Sequence, residues 1–312
     1  AIQAADAAGV VFLVAAGNST ENNDTFEVYP ANYRLPNVVT VAATDRRDAL
    51  ATFSNFGSAS VHLAAPGVTI PPLGHASDSA YADLSGTSMA SPQVAGAAAL
   101  LAAHFPGETP RQLINRLLRG GDAISAAAST TISGRRLNLH GALTTATHRP
   151  FHDDFAESRH VTGSAVALES WTTGATAQAG EPAHVDGHPA GSSVWWSWTA
   201  ADSGVTVFST ENTAFDTLAA AYTGTTLGNL VRIASNDDSP VGGTTGSRLT
   251  FTAQAGVTYH FAVTGKSGAT GLVRAFLSGP PPNDDLAAAT LMTGGAVIGT
   301  NINATKQPGE PA

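Results

Sequence analysis

The sequence predicts an α/β domain built as three layers around a parallel sheet, followed by an all-β sandwich or jelly-roll module. Three observations carry this. Up to about residue 144, glycine-bounded apolar runs alternate with helical segments. Beyond that point the helical signal stops, and short β-rich runs separated by Gly, Asn, Asp and Ser take over. Two motifs in the second region then recur about 130 residues further on.

The opening residues Ala1 to Ala8 read as the later turns of a helix, closed by Gly9. Val10 to Ala16 is continuously apolar, which predicts a strand buried on both faces, as in a parallel sheet covered by helices. Asn37 to Ala43 and Val61 to Ala65 predict two more. A helix follows from Ser88 to about His104. Its Val94, Ala95, Ala97 to Ala99, Leu100 and Leu101 leave no polar face, so it is expected to be buried. A shorter helix spans Arg111 to Arg119, with Thr109 as N-cap, Pro110 in the first position and Gly120-Gly121 as the stop. Interleaved strands and helices imply layered α/β architecture.

The character changes over Thr145 to Pro150, read as a linker. Strands are then predicted at Val194 to Trp198, Val205 to Phe208, Leu218 to Tyr222, Leu230 to Ala234, Arg248 to Phe251, Thr258 to Val263 and Leu272 to Leu277. Asp153-Asp154-Phe155 and Gly180-Glu181-Pro182-Ala183 are echoed by Asp284-Asp285-Leu286 and Gly309-Glu310-Pro311-Ala312. The expected organisation is therefore an α/β part at 1–144, a linker at 145–150, a β-sandwich at 151–279 and the start of a second copy at 280–312. A helix already under way at one end and a partial repeat at the other predict an internal fragment of a longer protein.

Composition narrows the function classes. Hydrophobic residues make up 43 % and charged residues 12 %, with 32 glycines and 17 prolines, which fits tight packing with many turns rather than disorder. A net charge of −9 without a basic cluster argues against nucleic-acid binding. Cysteine is absent, which removes disulfides, thiol chemistry and Cys-ligated metals. No apolar stretch reaches membrane-spanning length.

The chemistry concentrates in Leu84 to Gly96, LSGTSMASPQVAG. Nucleophilic serine catalysis needs an exposed hydroxyl, a base and donors for the oxyanion. Ser88 follows Gly86, read as the pivot of a sharp turn, and opens a helix whose free N–H groups and positive dipole end face the site. The Ser88 N–H is one candidate oxyanion donor. Asn18, just past the C-terminal end of the first predicted strand, offers its side-chain amide as the second. No base is apparent among the ten histidines. His62 lies in a strand, and His75 lies in a loop and is the only one placed to approach. His104 is sixteen helical residues from Ser88, roughly 24 Å at about 1.5 Å per residue.

Ala15 to Asn18, Tyr29-Pro30-Ala31, Phe53 to Gly57, Ala65 to Val68 and Ser85 to Gly96 together resemble the second half of a subtilisin-like serine protease (subtilase, peptidase S8), in order and in spacing. The resemblance covers residues 1 to about 144. It implies a secreted bacterial serine endopeptidase acting on proteins or peptides, with Ser88 as nucleophile and Asn18 in the oxyanion hole. Ala15, Ala16 and Gly17 then form a wall of the substrate pocket, and the triad Asp and His lie upstream of Ala1. The chain alone is accordingly expected to be inactive. No cofactor is required; calcium, held in some relatives by carbonyls near Ala31 and Tyr33, is a possible structural ion. Gln93 departs from the family's usual histidine, a change confined to local packing. Residues 151–279 more loosely resemble the pre-peptidase C-terminal β-sandwich, through Asp-Asp-Phe, Val194-Trp195-Trp196, Phe215-Asp216-Thr217 and Asn236-Asp237-Asp238.

Plainer readings stand beside these. Trp195, Trp196 and Trp198 suit carbohydrate stacking or a core, and strand alternation favours the core. Asn236-Asp237-Asp238 and Asp153-Asp154 suit calcium or turns, with turns favoured. The alternative function is a catalytically inactive subtilase-like scaffold that binds through its repeats.

Overall fold

A computed structural model describes residues 1–71, 83–241 and 243–280. Predictions about His75 and about the second copy beyond residue 280 fall outside these residues. The chain divides into two compact units, Ala1–Phe151 and His152–Ala312.

The first unit runs α1 (Ile2–Ala7), β1 (Phe12–Ala15), β2 (Val38–Thr44), β3 (Leu63–Pro66), α2 (Thr87–His104), α3 (Pro110–Gly120), β4 (Asp122–Ala123), β5 (Arg135–Arg136) and α4 (Leu139–Thr144). Its sheet order is β1-β2-β3-β5-β4, parallel except for the β4–β5 pair. β2 is buried at every position, as a central parallel strand should be. Alternate residues serve the two faces. Val39, Val41 and Ala43 join Leu63, Val94, Ala97, Leu101, Ile114 and Leu117 in the core against α2 and α3. On the other face, Val38 packs with Val14, Ala31 and Ile2 of α1, and Ala42 packs with Ala16, Val61 and Ala64.

Two expectations need correction. β1 lies at the sheet edge and is only partly buried: Phe12 is exposed, while Leu13 and Val14 pack against the clusters on opposite faces. α2 is buried along one stripe only, through Thr87, Ala90, Ser91, Val94, Ala97, Ala98 and Leu101. Gly96, Ala99, Leu100 and Ala103 are exposed, and Leu100 is 46 % accessible. Apolar composition all round did not translate into burial all round, because only one side of α2 meets the sheet. α3 matches its predicted caps: Thr109 accepts from Gln112 N–H, and the Gln112 side chain accepts from Thr109 N–H, a capping box worth about 1 kcal/mol.

The second unit contains β6 (Arg159–Val161), β7 (Ala165–Trp171), β8 (Val194–Thr199), β9 (Gly204–Ser209), β10 (Thr217–Thr223), β11 (Val231–Asn236), β12 (Arg248–Ala253), β13 (Thr258–Gly265) and β14 (Leu272–Ser278). They form a five-stranded sheet, β11-β10-β13-β8-β6, and a four-stranded sheet, β12-β9-β14-β7. All pairs are antiparallel except β6–β8. One core spans both sheets, with Phe208 of β9 stacked on Phe261 of β13 at 4.5 Å between centroids.

The tryptophans belong to this packing. Trp196 and Trp198 enter the core between the sheets, while Trp195 points the opposite way into a cluster with Phe155, Ala220 and Tyr222. None is more than 2 % exposed, so none is available to stack on a sugar. The repeated motifs are also structural. Asp153, fully buried, accepts from Thr176 N–H at 2.6 Å and from Thr176 Oγ1–H at 3.0 Å. Buried Glu181 accepts from Gln178 N–H at 2.7 Å and from the Ser193 hydroxyl, and it pairs with His184 Nε2 at 2.9 Å. Buried carboxylates need such partners. Among the described residues, no helix is long and apolar enough to cross a membrane.

His62 precedes β3, and its Nδ1 accepts the Thr40 N–H at 3.0 Å, which requires an unprotonated ring nitrogen. Burial, with smaller contributions from Arg111 and Arg34, lowers its pKa from 6.5 to about 3. The unfolded chain therefore binds the extra proton between these values, and stability falls as pH drops through that window. The denaturant midpoint of wild type is expected to decline from about pH 7 to about pH 4 more steeply than that of His62→Gln. Equal declines would show that His62 does not contribute.

Candidate active site

Ser88 lies in the first turn of α2 and is exposed. Its N–H is among the helix-initial groups that lack an intrahelical acceptor. Asn18, also exposed, follows β1 by three residues. The structure brings these two together through Thr87, which is fully buried between them.

Asn18 Oδ1 accepts from Thr87 N–H and from Thr87 Oγ1–H, each at 2.9 Å. Thr87 Oγ1 in turn accepts from Gly17 N–H at 3.2 Å. Asn18 thus caps α2 from a distant loop, a task that Gly86 at the N-cap position cannot perform because it has no side chain. Two donors on Oδ1 also decide which way the amide faces, since only an oxygen can accept both. Nδ2 then projects away from Thr87 and has no protein acceptor among the described residues.

The space this donor faces is kept open by Gly86. A Cβ at Gly86 would lie 3.4 Å from Asn18 Nδ2 and 3.7 Å from Ser88 N. Gly86 has φ 162° and ψ 160° and stands at the bend that leads into α2, as the sequence led us to expect. The amide nitrogen of Asn18 and the backbone nitrogen of Ser88 thus lie close to one point beside Gly86.

Neighbouring motifs hold α2 in place. Gly86 N–H donates to Gly67 O at 2.8 Å, and a Cβ at Gly67 would sit 2.6 Å from Ala43 Cβ. Only glycine permits this approach between the segment after β3 and the start of α2. Gln93 Nε2 donates to Pro66 O at 2.6 Å and to Met89 O at 3.2 Å, tying the helix to the end of β3. Of the residues read as a pocket wall, Ala15 and Gly17 are partly accessible. Ala16 is fully buried with its methyl in the core, so only its backbone can border a pocket.

No described histidine is hydrogen-bonded to Ser88. His62 is neutral and engaged with Thr40, His104 ends α2, and His148 Nδ1 lies 3.2 Å from Glu108. Among the described residues, the Ser88 hydroxyl has no hydrogen-bond partner. In the second unit, the carboxylates of Asp216, Asp237 and Asp238 approach within 4.8 Å of one another. Lys266 Nζ stands 2.6 Å from Asp237 and 3.8 Å from Asp216, so the protein supplies its own cation there. The sequence reading did not identify Thr87 as the link. Its position in Gly-Thr-Ser was visible, but its bond to a loop 69 residues away was not.

Thr87→Val keeps the shape and removes the hydroxyl, leaving Gly17 N–H without its acceptor. A loss of about 1–3 kcal/mol is expected by chemical denaturation. An unchanged midpoint would mean that the hydroxyl does not join the loop to the helix.

Residues 1–146 match the subtilase family. The chain is 34 % identical over 145 residues to Subtilisin-like protease 2 of Plasmodium falciparum, covering 44 % of this chain and 10 % of that protein. It is 44 % identical over 111 residues to an extracellular serine proteinase of Thermus sp. (strain Rt41A), covering 36 % and 26 %. A solved structure described as the basis of subtilase cytotoxin SubAB assembly is 26 % identical, with a TM-score of 0.40, covering 46 % of this chain and 51 % of that one. The chain thus spans only a tenth to about a quarter of the length of these two curated relatives. Residues 1–146, just under half of the chain, therefore carry a match to the subtilase family.

Proposed function

We propose that the whole protein is a secreted serine endopeptidase that cleaves proteins or peptides through an acyl-enzyme on Ser88. The observation that carries this reading is that Asn18 Nδ2 and Ser88 N lie 3.4 Å and 3.7 Å from one point beside Gly86, at the helix start where Ser88 is exposed. The family match of residues 1–146 supports the reaction class. The likeness to an extracellular proteinase supports the location.

In this reading, Ser88 Oγ attacks the scissile carbonyl as a histidine takes its proton. The carbonyl oxygen becomes an oxyanion between Asn18 Nδ2 and Ser88 N–H. The C–N bond then breaks as the proton passes to the leaving amine, and water hydrolyses the ester by the same steps in reverse. The histidine and its orienting aspartate come from chain outside residues 1–312. Two features support additional chain packing on this unit: the exposed apolar stripe of α2 around Leu100, and the unpaired edge of β1 with exposed Val10 and Phe12. Ala15 and Gly17, with the Ala16 backbone, border the pocket for the residue before the cut bond. Residues 151–279 act as an accessory module of the pre-peptidase C-terminal kind.

Asn18→Ala in the full-length enzyme is expected to lower kcat about 10²–10³-fold with KM little changed. The 312-residue chain alone is expected not to react with a fluorophosphonate. Unchanged turnover would remove Asn18 from the oxyanion site. Labelling of the isolated chain at Ser88 would show that it contains its own base. If the full-length protein lacks both turnover and labelling, it is a binding scaffold.

A further inference from the structure

The segment Phe53-Ser54-Asn55-Phe56-Gly57 has no part in the chemistry above, yet it lies alongside the loop that presents Asn18. Asn22 and Phe56 form a parallel bridge. Thr20 N–H donates to Phe53 O at 3.0 Å, Phe56 N–H to Glu21 O at 3.0 Å, and Asn23 N–H to Phe56 O at 2.7 Å. Within this ladder, Asn55 stands apart. It is 1 % exposed, and all four of its polar groups bear on the loop or on its own segment.

Asn55 N–H donates to Gly17 O at 2.9 Å, and Asn55 Oδ1 accepts from Ser19 N–H at 2.8 Å and from Glu21 N–H at 3.2 Å. Gly17 O belongs to the peptide group entering Asn18, and Ser19 N–H to the peptide group leaving it. Both planes that set the Asn18 Cα position are therefore held by one residue. Asn55 Nδ2 donates to Asn23 Oδ1 at 2.9 Å, and Asn23 Nδ2 donates to Ala16 O at 2.9 Å, which fixes the amide orientation of Asn55 and closes the frame one residue earlier. The contact is close. A Cβ at Gly17 would come within 2.6 Å of Asn55 Nδ2, and Gly17 has φ +115°, so only glycine fits there. Asn18 itself is exposed, and Thr87 holds only its amide tip.

We propose that Asn55 is a positioning residue for the oxyanion site. It fixes the backbone on both sides of Asn18, so that Nδ2 and Ser88 N–H converge. This rests on the function proposed above. A misplacement on the order of 1 Å in such a donor can cost about 10²-fold in rate, so a buried asparagine out of reach of the substrate can govern turnover.

The test is a double-mutant cycle in the full-length enzyme. Asn55→Ala is expected to lower kcat about 10- to 100-fold, with KM within about twofold of wild type. In an Asn18→Ala background the same substitution is expected to cost less than about twofold, because the donor it positions is already gone. Asn55→Asp keeps the acceptor for Ser19 and Glu21 and is expected to retain more turnover than the alanine variant. It also serves if Asn55→Ala does not fold. Equal losses in both backgrounds, a loss carried by KM, or an aspartate variant no better than alanine would overturn the proposal. If Asn18→Ala leaves kcat unchanged, the oxyanion reading fails and this proposal with it. If Asn18→Ala is impaired while Asn55→Ala is not, only the role of Asn55 fails.

Discussion

The first unit depends on the two hydrogen bonds that Asn18 Oδ1 accepts from Thr87. They join the loop after β1 to the first turn of α2, segments far apart in sequence. They also cap a helix whose own N-cap residue has no side chain. Because one oxygen takes both donors, the amide nitrogen must turn outward. A helix cap, a loop anchor and an oriented donor therefore come from a single side chain.

The arrangement around that pair follows from close packing. β2, buried at every position, sets the plane, and α2 lies on it along a stripe of small residues that lets the helix approach the sheet closely. Gly67 is needed because a Cβ there would lie 2.6 Å from Ala43 Cβ and 2.8 Å from Gly86 O. Asn55, Asn23 and Gly17 frame the loop from below, while Thr87 holds it from the side. An exposed asparagine can be held firmly only if buried neighbours satisfy its backbone, and Asn55 does so on both flanking peptides.

Much of this was legible in the sequence. The central strands, α3 with its capping box, and seven strands of the second unit follow from local pattern and punctuation. So do Ser88 and Asn18 as the residues of interest. What escaped was set by neighbours rather than by local sequence. β1 reads like β2 but lies at an edge, and α2 is apolar all round yet covered on one side. The three-residue β6 and the seven-residue β7 were not legible as strands. Thr87 and Asn55 act through bonds spanning 69 and 36 residues, which no single-sequence pattern encodes. Asp153, which suited a calcium ligand or a turn, and Glu181, legible only as part of a repeat, prove to be carboxylates held by buried hydrogen bonds.

The central claim is that Ser88 forms the acyl-enzyme. It is tested most directly by trapping the full-length protein with a slowly deacylating ester or a fluorophosphonate and mapping the adduct by peptide mass spectrometry. The account predicts one adduct, on the α2 peptide at Ser88, which disappears in Ser88→Ala together with peptide cleavage. An adduct on another serine, or cleavage that survives Ser88→Ala, would contradict it.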